Sequence, residues 1–253
     1  MGAATANDNT VIIDNSIVDA AFGASIGRGI TNGTESVVNM NNNTVIVKNG
    51  STVGTTAMAV MNQSVNAQGN TMTLDNSTMA NGAAYSVLMY LGKDTSGGLV
   101  QSVVANNTLN LNNLTSTFKE VGGSLNFAGT SNGNTVNILN SNVTLTNASR
   151  KFFDEQLNFT KLAAANLLPA DVPADKGLIF GGASMDYIAT TNSTPSPEAP
   201  EEKAVAFNGT NSDGNLVNIA GGDSVKTVDA NVFGGFSEPA GNRLYNVKPG
   251  ESP

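Results

Sequence analysis

Residues 9–16 read Asn-Thr-Val-Ile-Ile-Asp-Asn-Ser, and five later stretches repeat this phrase. The copies are NTVIVKNG at 43–50, NTMTLDNS at 70–77, NTLNLNNL at 107–114, NTVNILNS at 134–141 and, less closely, NLVNIAGG at 215–222. An internal repeat of this kind indicates a fold built from similar units that stack on their neighbours. The rest of the chain is therefore interpreted around this phrase.

The six copies align into columns of like residues. The first apolar column contains Val11, Val45, Met72, Leu109, Val136 and Val217. The second contains Ile13, Val47, Leu74, Leu111, Ile138 and Ile219. A third contains Asn15, Asn49, Asn76, Asn113 and Asn140, with Gly221 in the sixth copy. Residues two apart on a strand point to one face, and Asn and Gly tolerate left-handed backbone at a bend. Each copy is thus predicted to be a short strand with two inward apolar residues, ending in a sharp corner.

The spacing of the copies predicts how the strands are connected. Successive copies lie 34, 27, 37, 27 and 81 residues apart, and 81 is three times 27. A unit of about 27 residues is too long for a hairpin and suits one turn of a solenoid with three or four strands per turn. We predict an all-β fold, a right-handed parallel β-helix, whose stacked Asn side chains hydrogen-bond from turn to turn. The Gly-Gly segments, such as Gly122-Gly123, are assigned to close packing between turns rather than to phosphate binding.

The repeat is interrupted once. Over residues 148–203 we predict a lateral insertion subdomain of loops and short helical turns, with an acidic, Pro-rich loop. We predict parallel β-helix turns over residues 1–147 and 204–253. The last range carries no capping signal, so we expect the chain to be part of a longer protein. Loops on a rigid scaffold often carry binding residues. The candidate partner-binding residues are Phe152, Phe153 and Phe159 in the insertion, and Tyr85 and Tyr90 on a predicted excursion at 85–98. The alternative is that these aromatic side chains cover the side of the coil.

Composition excludes several kinds of chemistry. The chain has no His and no Cys, so Ser-His and Cys-His nucleophilic sites are absent from it, as is the commonest metal ligand. The 12 Lys and Arg against 20 Asp and Glu give a net charge of −8, which disfavours nucleic acid as a partner. No apolar run is long enough to span a bilayer. We expect no catalytic residues, no metal, no cofactor and no membrane insertion by these residues.

The phrase Asn-Thr-Val-x-Ile-x-Asn-Ser, followed by a Gly-Gly-x-Ser segment, resembles the passenger domains of bacterial autotransporters. The resemblance covers most of residues 7–147 and 205–247. It implies a parallel β-helix on the bacterial cell surface, held there by a membrane barrel that this sequence does not contain. It also implies a role in adhesion, with a host surface protein, a glycan or another cell as the partner.

Two other functions remain open at this stage. The sides of the stacked turns permit self-association of copies of the chain, leading to aggregation or biofilm formation. A polysaccharide-cleaving β-helix is disfavoured, because such enzymes use clustered carboxylates. In the outward column only Asp14 and Asp75 are acidic, with Lys48 between them.

Overall fold

The structure is a computed structural model, and the phrase forms a strand in every copy. The structure describes residues 4–25, 38–62, 66–89, 102–127, 129–146, 176–185, 187–190, 204–207 and 209–237. These residues contain strands, turns and bends and no helix.

The strands form six successive turns of the chain, called rungs below. The first three rungs are β1 (Ala4–Thr5), β2 (Thr10–Asp14) and β3 (Ile17–Ser25); β4 (Val38–Asn39), β5 (Thr44–Lys48) and β6 (Thr52–Asn62); and β7 (Asn66–Gln68), β8 (Thr71–Asp75) and β9 (Thr78–Met89). The fourth and fifth are β10 (Ser102–Ala105), β11 (Thr108–Asn112) and β12 (Thr115–Phe127); and β13 (Gly129–Asn132), β14 (Thr135–Leu139), β15 (Asn142–Leu145) and β16 (Leu178–Met185). The strands β17 (Tyr187–Thr190) and β18 (Ala204–Phe207) form an antiparallel pair outside the rungs. The sixth rung is β19 (Gly209–Asn211), β20 (Leu216–Ala220), β21 (Val228–Asp229) and β22 (Asn231–Ser237).

Equivalent strands of successive rungs pair in parallel and form three sheets. Sheet A has the order β1-β4-β7-β10-β13-β19, and sheet B, which contains the phrase, has the order β2-β5-β8-β11-β14-β20. Sheet C has the order β3-β6-β9-β12-β15-β21, with β16 and β22 extending it beside β12. The predicted parallel β-helix is confirmed, with three sheets around it.

The predicted apolar columns are confirmed by the register of sheet B. Val11 pairs with Val45, and the pairing continues through Met72, Leu109 and Val136 to Val217. The second column aligns in the same way. Val45, Val47, Met72, Leu74, Leu109, Leu111 and Val136 have no exposed surface, and Ile138 is 1% exposed. Together with Phe118, Val121 and Val143 they form the main core between the sheets.

The corners after the phrase adopt the predicted left-handed backbone. Asn15, Asn49, Asn76, Asn113 and Asn140 have φ values between 45° and 55°. The prediction for the sixth copy was one residue off, because the positive φ of 67° belongs to Gly222 and not to Gly221. Just before the phrase lies a second left-handed column that the sequence reading missed. It contains Asp8, Asn42, Gly69, Asn106, Gly133 and Gly214, with φ values from 56° to 68°.

The 81-residue spacing is not three rungs. β14 pairs directly with β20, and Val136 lies opposite Val217, so the fifth and sixth copies are neighbours. The prediction that 148–203 lies wholly outside the coil is also wrong, since β16 within it pairs with β12 and with β22. The next rung begins at Gly209, because the preceding strand β18 pairs outside the coil. The extra chain is therefore inserted at two places in one rung.

The close packing predicted at the Gly-Gly segments is confirmed. A Cβ on Gly123 would clash with the carbonyl oxygen of Gly181 in the next rung. A Cβ on Gly181 would in turn clash with the carbonyl oxygen of Gly234. A side chain at either position would force neighbouring rungs apart.

Candidate functional site

A ladder of asparagine side chains, called the buried ladder below, runs through all five interfaces between the six rungs, at the corner between sheets A and B. Its four middle members are fully buried. It contains Asn9, Asn43, Asn70, Asn107, Asn134 and Asn215, the first residue of each copy. In every step the Nδ2 group donates to the Oδ1 of the next rung, over 2.7–3.0 Å. The same Oδ1 also accepts the backbone N–H of the preceding Asn, over 2.8–3.1 Å. Buried amides need such partners, so this ladder holds the rungs in register and offers nothing to a ligand.

The exposed Asn column that begins at Asn15 bonds less regularly than predicted. Asn140 donates to Asn113 at 2.9 Å, which is the expected rung-to-rung amide bond. Asn49 instead donates to Asp14, and Asn113 to Asp75, both at 2.8 Å. The Asn49 amide holds the pKa of the Asp14 carboxyl below its ordinary value. The stacking interpretation is thus confirmed for one step, while aspartate accepts in two others.

The outer face of sheet B is a candidate interaction surface, since it presents three outward columns. The first column contains Thr10, Thr44, Thr71, Thr108 and Thr135, followed by Leu216. The middle column contains Ile12, Ile46, Thr73, Asn110, Asn137 and Asn218, and the third contains Asp14, Lys48, Asp75, Asn112, Leu139 and Ala220. Lys48 Nζ lies 3.3 Å from Asp14 Oδ2. No two adjacent rungs place carboxylates side by side in these columns, as predicted.

The outer face of sheet C is apolar and largely buried. Phe22, Met58, Tyr85, Gly122, Phe180 and Phe233 form one column across the rungs. Met58, Tyr85 and Phe180 lie outside the main core, in a separate cluster with Leu88 and Leu125, and Phe233 packs against it. The rings of Tyr85 and Phe180 approach to 6.0 Å between centroids and meet over Gly122, where a Cβ would clash with both. In the middle of this outer cluster Tyr85 and Phe180 have no exposed surface, whereas Phe22 in the first rung is 37% exposed.

Among the described residues, the carboxyl group of Glu120 is buried beside the outer cluster. Glu120 is 4% exposed, and the Tyr85 hydroxyl donates to its Oε2 at 2.7 Å. Burial raises the pKa of Glu120 to about 7, against the smaller opposing effects of the Tyr85 hydrogen bond and the Lys119 charge. Burial favours the neutral form of the Glu120 carboxyl, so its ionisation destabilises the folded state.

We expect Glu120 to make the stability of the protein depend on pH. Its pKa is higher in the folded protein than the ordinary value of 4.5, so the folded state binds the proton more tightly than the unfolded chain. The free energy of unfolding is therefore expected to fall by about 2–3 kcal/mol between roughly pH 5 and pH 8 through this group. In urea denaturation series, Glu120→Gln should remove this slope, and the exposed-site control Asp19→Asn should keep it. Parallel pH profiles for Glu120→Gln and the parent would contradict the assignment.

The structure places few of the predicted partner-binding residues. Phe152, Phe153, Phe159 and Tyr90 lie outside the described residues. Tyr85 does not lie on an excursion, because β9 continues to Met89. Its ring is fully buried and its hydroxyl is bonded to Glu120, so we withdraw Tyr85 as a candidate for partner contact. The burial of Tyr85 could have been predicted by aligning it with Met58 and Phe180 in the neighbouring rungs. The repeated phrase does not give that alignment, because these residues lie outside it.

The longest insertion leaves and re-enters the coil at one place in sheet C. Leu145 lies opposite Phe118, and Ile179 lies opposite Val121 of the same strand. At the re-entry point Lys176 Nζ contacts Asp229 Oδ1 at 2.6 Å, and its backbone oxygen accepts from Asn231 Nδ2. Residues 147–175 are therefore inserted between β15 and β16 of the fifth rung, and their two ends lie beside the fourth and sixth rungs.

The described ranges contain no group of three or more His, Cys, Asp or Glu side chains placed to hold a metal ion. Within the same part of the chain, no helix has the length and apolar character needed to cross a membrane. Comparisons with protein-family models, with curated proteins and with solved structures find no match to this chain.

Proposed function

We propose that the chain is part of a bacterial cell-surface adhesin of the autotransporter type, which binds a host surface protein, a glycan or another cell without catalysis. The observation that carries the proposal is the phrase, six times repeated, whose resemblance to autotransporter passengers extends over most of the coil. The stacked rungs support it as well. Their apolar columns and amide ladder hold the rungs in register and make a scaffold that the inserted segments leave and rejoin.

The proposal assigns contact with the partner to the insertion that leaves sheet C. Loops held by a rigid scaffold are where binding residues concentrate. Residues 147–175 leave after Thr146, whose backbone N–H bonds to Phe118 O, and return at Lys176. They contain Phe152, Phe153 and Phe159, which with Tyr90 remain the proposed partner-binding residues.

Two deletions test the adhesin proposal without breaking the coil. Removal of 148–203 as a block would take β16 out of sheet C, so the cuts should follow the strands. Joining Thr146 to Lys176 leaves enough chain to bridge from Leu145 to Ile179. As the matched control, residues 191–203 are replaced by Asn-Gly, which suits a two-residue hairpin between the paired Thr190 and Ala204.

We expect the parent chain to bind host cells or immobilised host glycans saturably, and deletion of 147–175 to abolish that binding. Replacement of 191–203 should leave it intact. Far-UV circular dichroism confirms that each variant keeps its strands. Retained binding in both variants would move the contact to the coil itself, and a parent chain that binds no cell or glycan would overturn the adhesin proposal.

Self-association through the outer face of sheet B is a second candidate function. The third column of that face alternates in charge through Asp14, Lys48 and Asp75, and Ile12 beside it is 57% exposed. Two copies facing each other can match opposite charges there. Cells displaying the chain would then clump, and cells that stay dispersed would count against this candidate.

A further inference from the structure

The buried carboxyl of Glu120 lies at a junction of sheet C, where two strands follow one another along the same neighbour. β12 pairs with β15 as far as Phe118, which lies opposite Leu145. It pairs with β16 from Val121 onward, which lies opposite Ile179. Glu120 is the residue before Val121, so it lies where β16 begins beside β12. On the other side of β12, the register with β9 shifts at the same point, between Phe118 and Glu120.

The acid at this position is particular to the fourth rung. The pairing of sheet C aligns Glu120 with one residue in each of the other rungs, and on the β16 side with the residue before Ile179. These aligned residues are Ala20, Thr56, Ala83, Leu178 and Asn231. All five are uncharged, so the column is built without an ionisable group in every rung but one.

The contacts of Glu120 lead to the strand that begins beside it. The Tyr85 hydroxyl donates to Glu120 Oε2 at 2.7 Å, and the Tyr85 ring lies 6.0 Å from the Phe180 ring of β16, between centroids. Leu178 and Phe180 of β16 belong with Tyr85 to the outer cluster. Leu178 is 9% exposed and Phe180 is fully buried. The side chains that hold β16 on the outer face of sheet C are therefore the ones that pack beside the Glu120 carboxyl.

Few charged groups face the Glu120 carboxyl among the described residues. The Tyr85 hydroxyl on β9 is its hydrogen-bond donor, and Lys119 on β12 is the neighbouring cation. At the start of β16, Lys176 Nζ is paired with Asp229 of β21 at 2.6 Å. Burial raises the pKa of Glu120 to about 7, although Tyr85 and Lys119 both oppose the rise. An ionised carboxyl buried in this way destabilises the packed arrangement, and separation of the strands would relieve it by admitting water.

We propose that Glu120 makes the pairing of β16 with β12 a pH-sensitive switch. With the carboxyl neutral, β16 stays paired with β12. With the carboxyl ionised, β16 separates from β12 locally while sheets A and B stay paired. Each repeat of a solenoid contacts only its neighbours, so one interface can open while the others remain stacked. β16 is the strand on which the insertion 147–175 rejoins the coil, so the switch acts at that point. The inference is independent of the adhesin proposal.

Hydrogen exchange measured by mass spectrometry at about pH 5.5 and about pH 8.5 tests the switch. Each rate is expressed as a protection factor, which corrects for the intrinsic effect of pH on exchange. The protection of β16 should fall roughly 30-fold over this interval, as expected when a pKa of about 7 returns to the ordinary 4.5 on opening. The protection of β5, two rungs before β12, should not change. Glu120→Gln should remove the fall in β16.

Two further variants distinguish the switch from a purely structural role. Tyr85→Phe removes a hydrogen bond that lowers the pKa of Glu120, so the midpoint of the β16 pH profile should move to higher pH. Asp229→Asn removes the ion pair with Lys176 at the start of β16, so it should lower the protection of β16 by the same factor at both pH values. Protection of β16 that does not change with pH would overturn the proposal, and so would a fall that persists in Glu120→Gln. An equal fall in β5 and β16 would also overturn it and would show that Glu120 acts on the whole coil.

Discussion

Replacing Ile138 by Asp is expected to lower the free energy of unfolding by about 5 kcal/mol, the largest effect of any single change considered. Ile138 is 1% exposed, between Leu111 and Ile219 in the second apolar column. Its side chain contributes about 1.5–3 kcal/mol through burial alone. The substitution removes that contribution and also places an unpaired carboxylate between two apolar neighbours. Urea denaturation followed by far-UV circular dichroism measures the change.

The matched control for this substitution is Leu139→Asp. Leu139 is the next residue of β14 and points outward, where it is only partly buried. Solvent can hydrate a carboxylate at that position, so we expect a change below about 1 kcal/mol. Equal effects of the two substitutions would show that the inward and outward faces of β14 are wrongly assigned.

Replacing Asn107 by Ala is expected to lower the free energy of unfolding by about 3–5 kcal/mol. Asn107 is fully buried and accepts from the backbone N–H and the Nδ2 of Asn70. It donates in turn to Asn134 Oδ1 and to Ala67 O. With alanine, Asn134 Oδ1 keeps the backbone N–H of residue 107, and Asn70 Nδ2 keeps Met40 O. The Asn70 backbone N–H loses its acceptor and the Ala67 carbonyl oxygen loses the Asn107 amide, and each buried unsatisfied group costs about 1–3 kcal/mol. The same denaturation assay provides the measurement.

Asn110→Ala is the control for the ladder, because Asn110 belongs to a partly exposed amide column. Its Nδ2 donates to Thr73 and its Oδ1 accepts from Asn137. Water can replace both bonds, so the expected loss is below about 1 kcal/mol. If Asn107→Ala were as mild as Asn110→Ala, the buried ladder would not be what holds the rungs in register.

The sequence predicted the parallel β-helix because the inward columns are local and periodic. Alternation within each copy determines which residues face inward, and the repeat places one copy over the next. The same reasoning located the left-handed corners from Asn15 to Asn140. It placed the corner of the sixth copy at Gly221 rather than Gly222, because two adjacent glycines satisfy the same backbone requirement.

Other features could not be read from the phrase. β16 carries no copy of it and joins sheet C through its Gly-Gly segment, so the fifth rung was interpreted as ending before the insertion. The outer cluster depends on side chains from five rungs meeting on the far side of sheet C, which is a tertiary property. The buried ladder was different. Asn is the first residue of all six copies, and this invariance alone could have predicted the ladder. The sequence analysis used the apolar columns and the corner Asn column instead.

The junction between the end of β15 at Leu145 and the start of β16 at Leu178 has a practical consequence for protein engineering. The coil continues past 29 intervening positions, 147–175, as though they were absent, since β15 and β16 both align with β12. The entropic cost of a longer loop grows only slowly with its length. A foreign peptide or a small folded module grafted between Thr146 and Lys176 should therefore leave the strands on either side undisturbed. This junction is a suitable insertion site for epitope display.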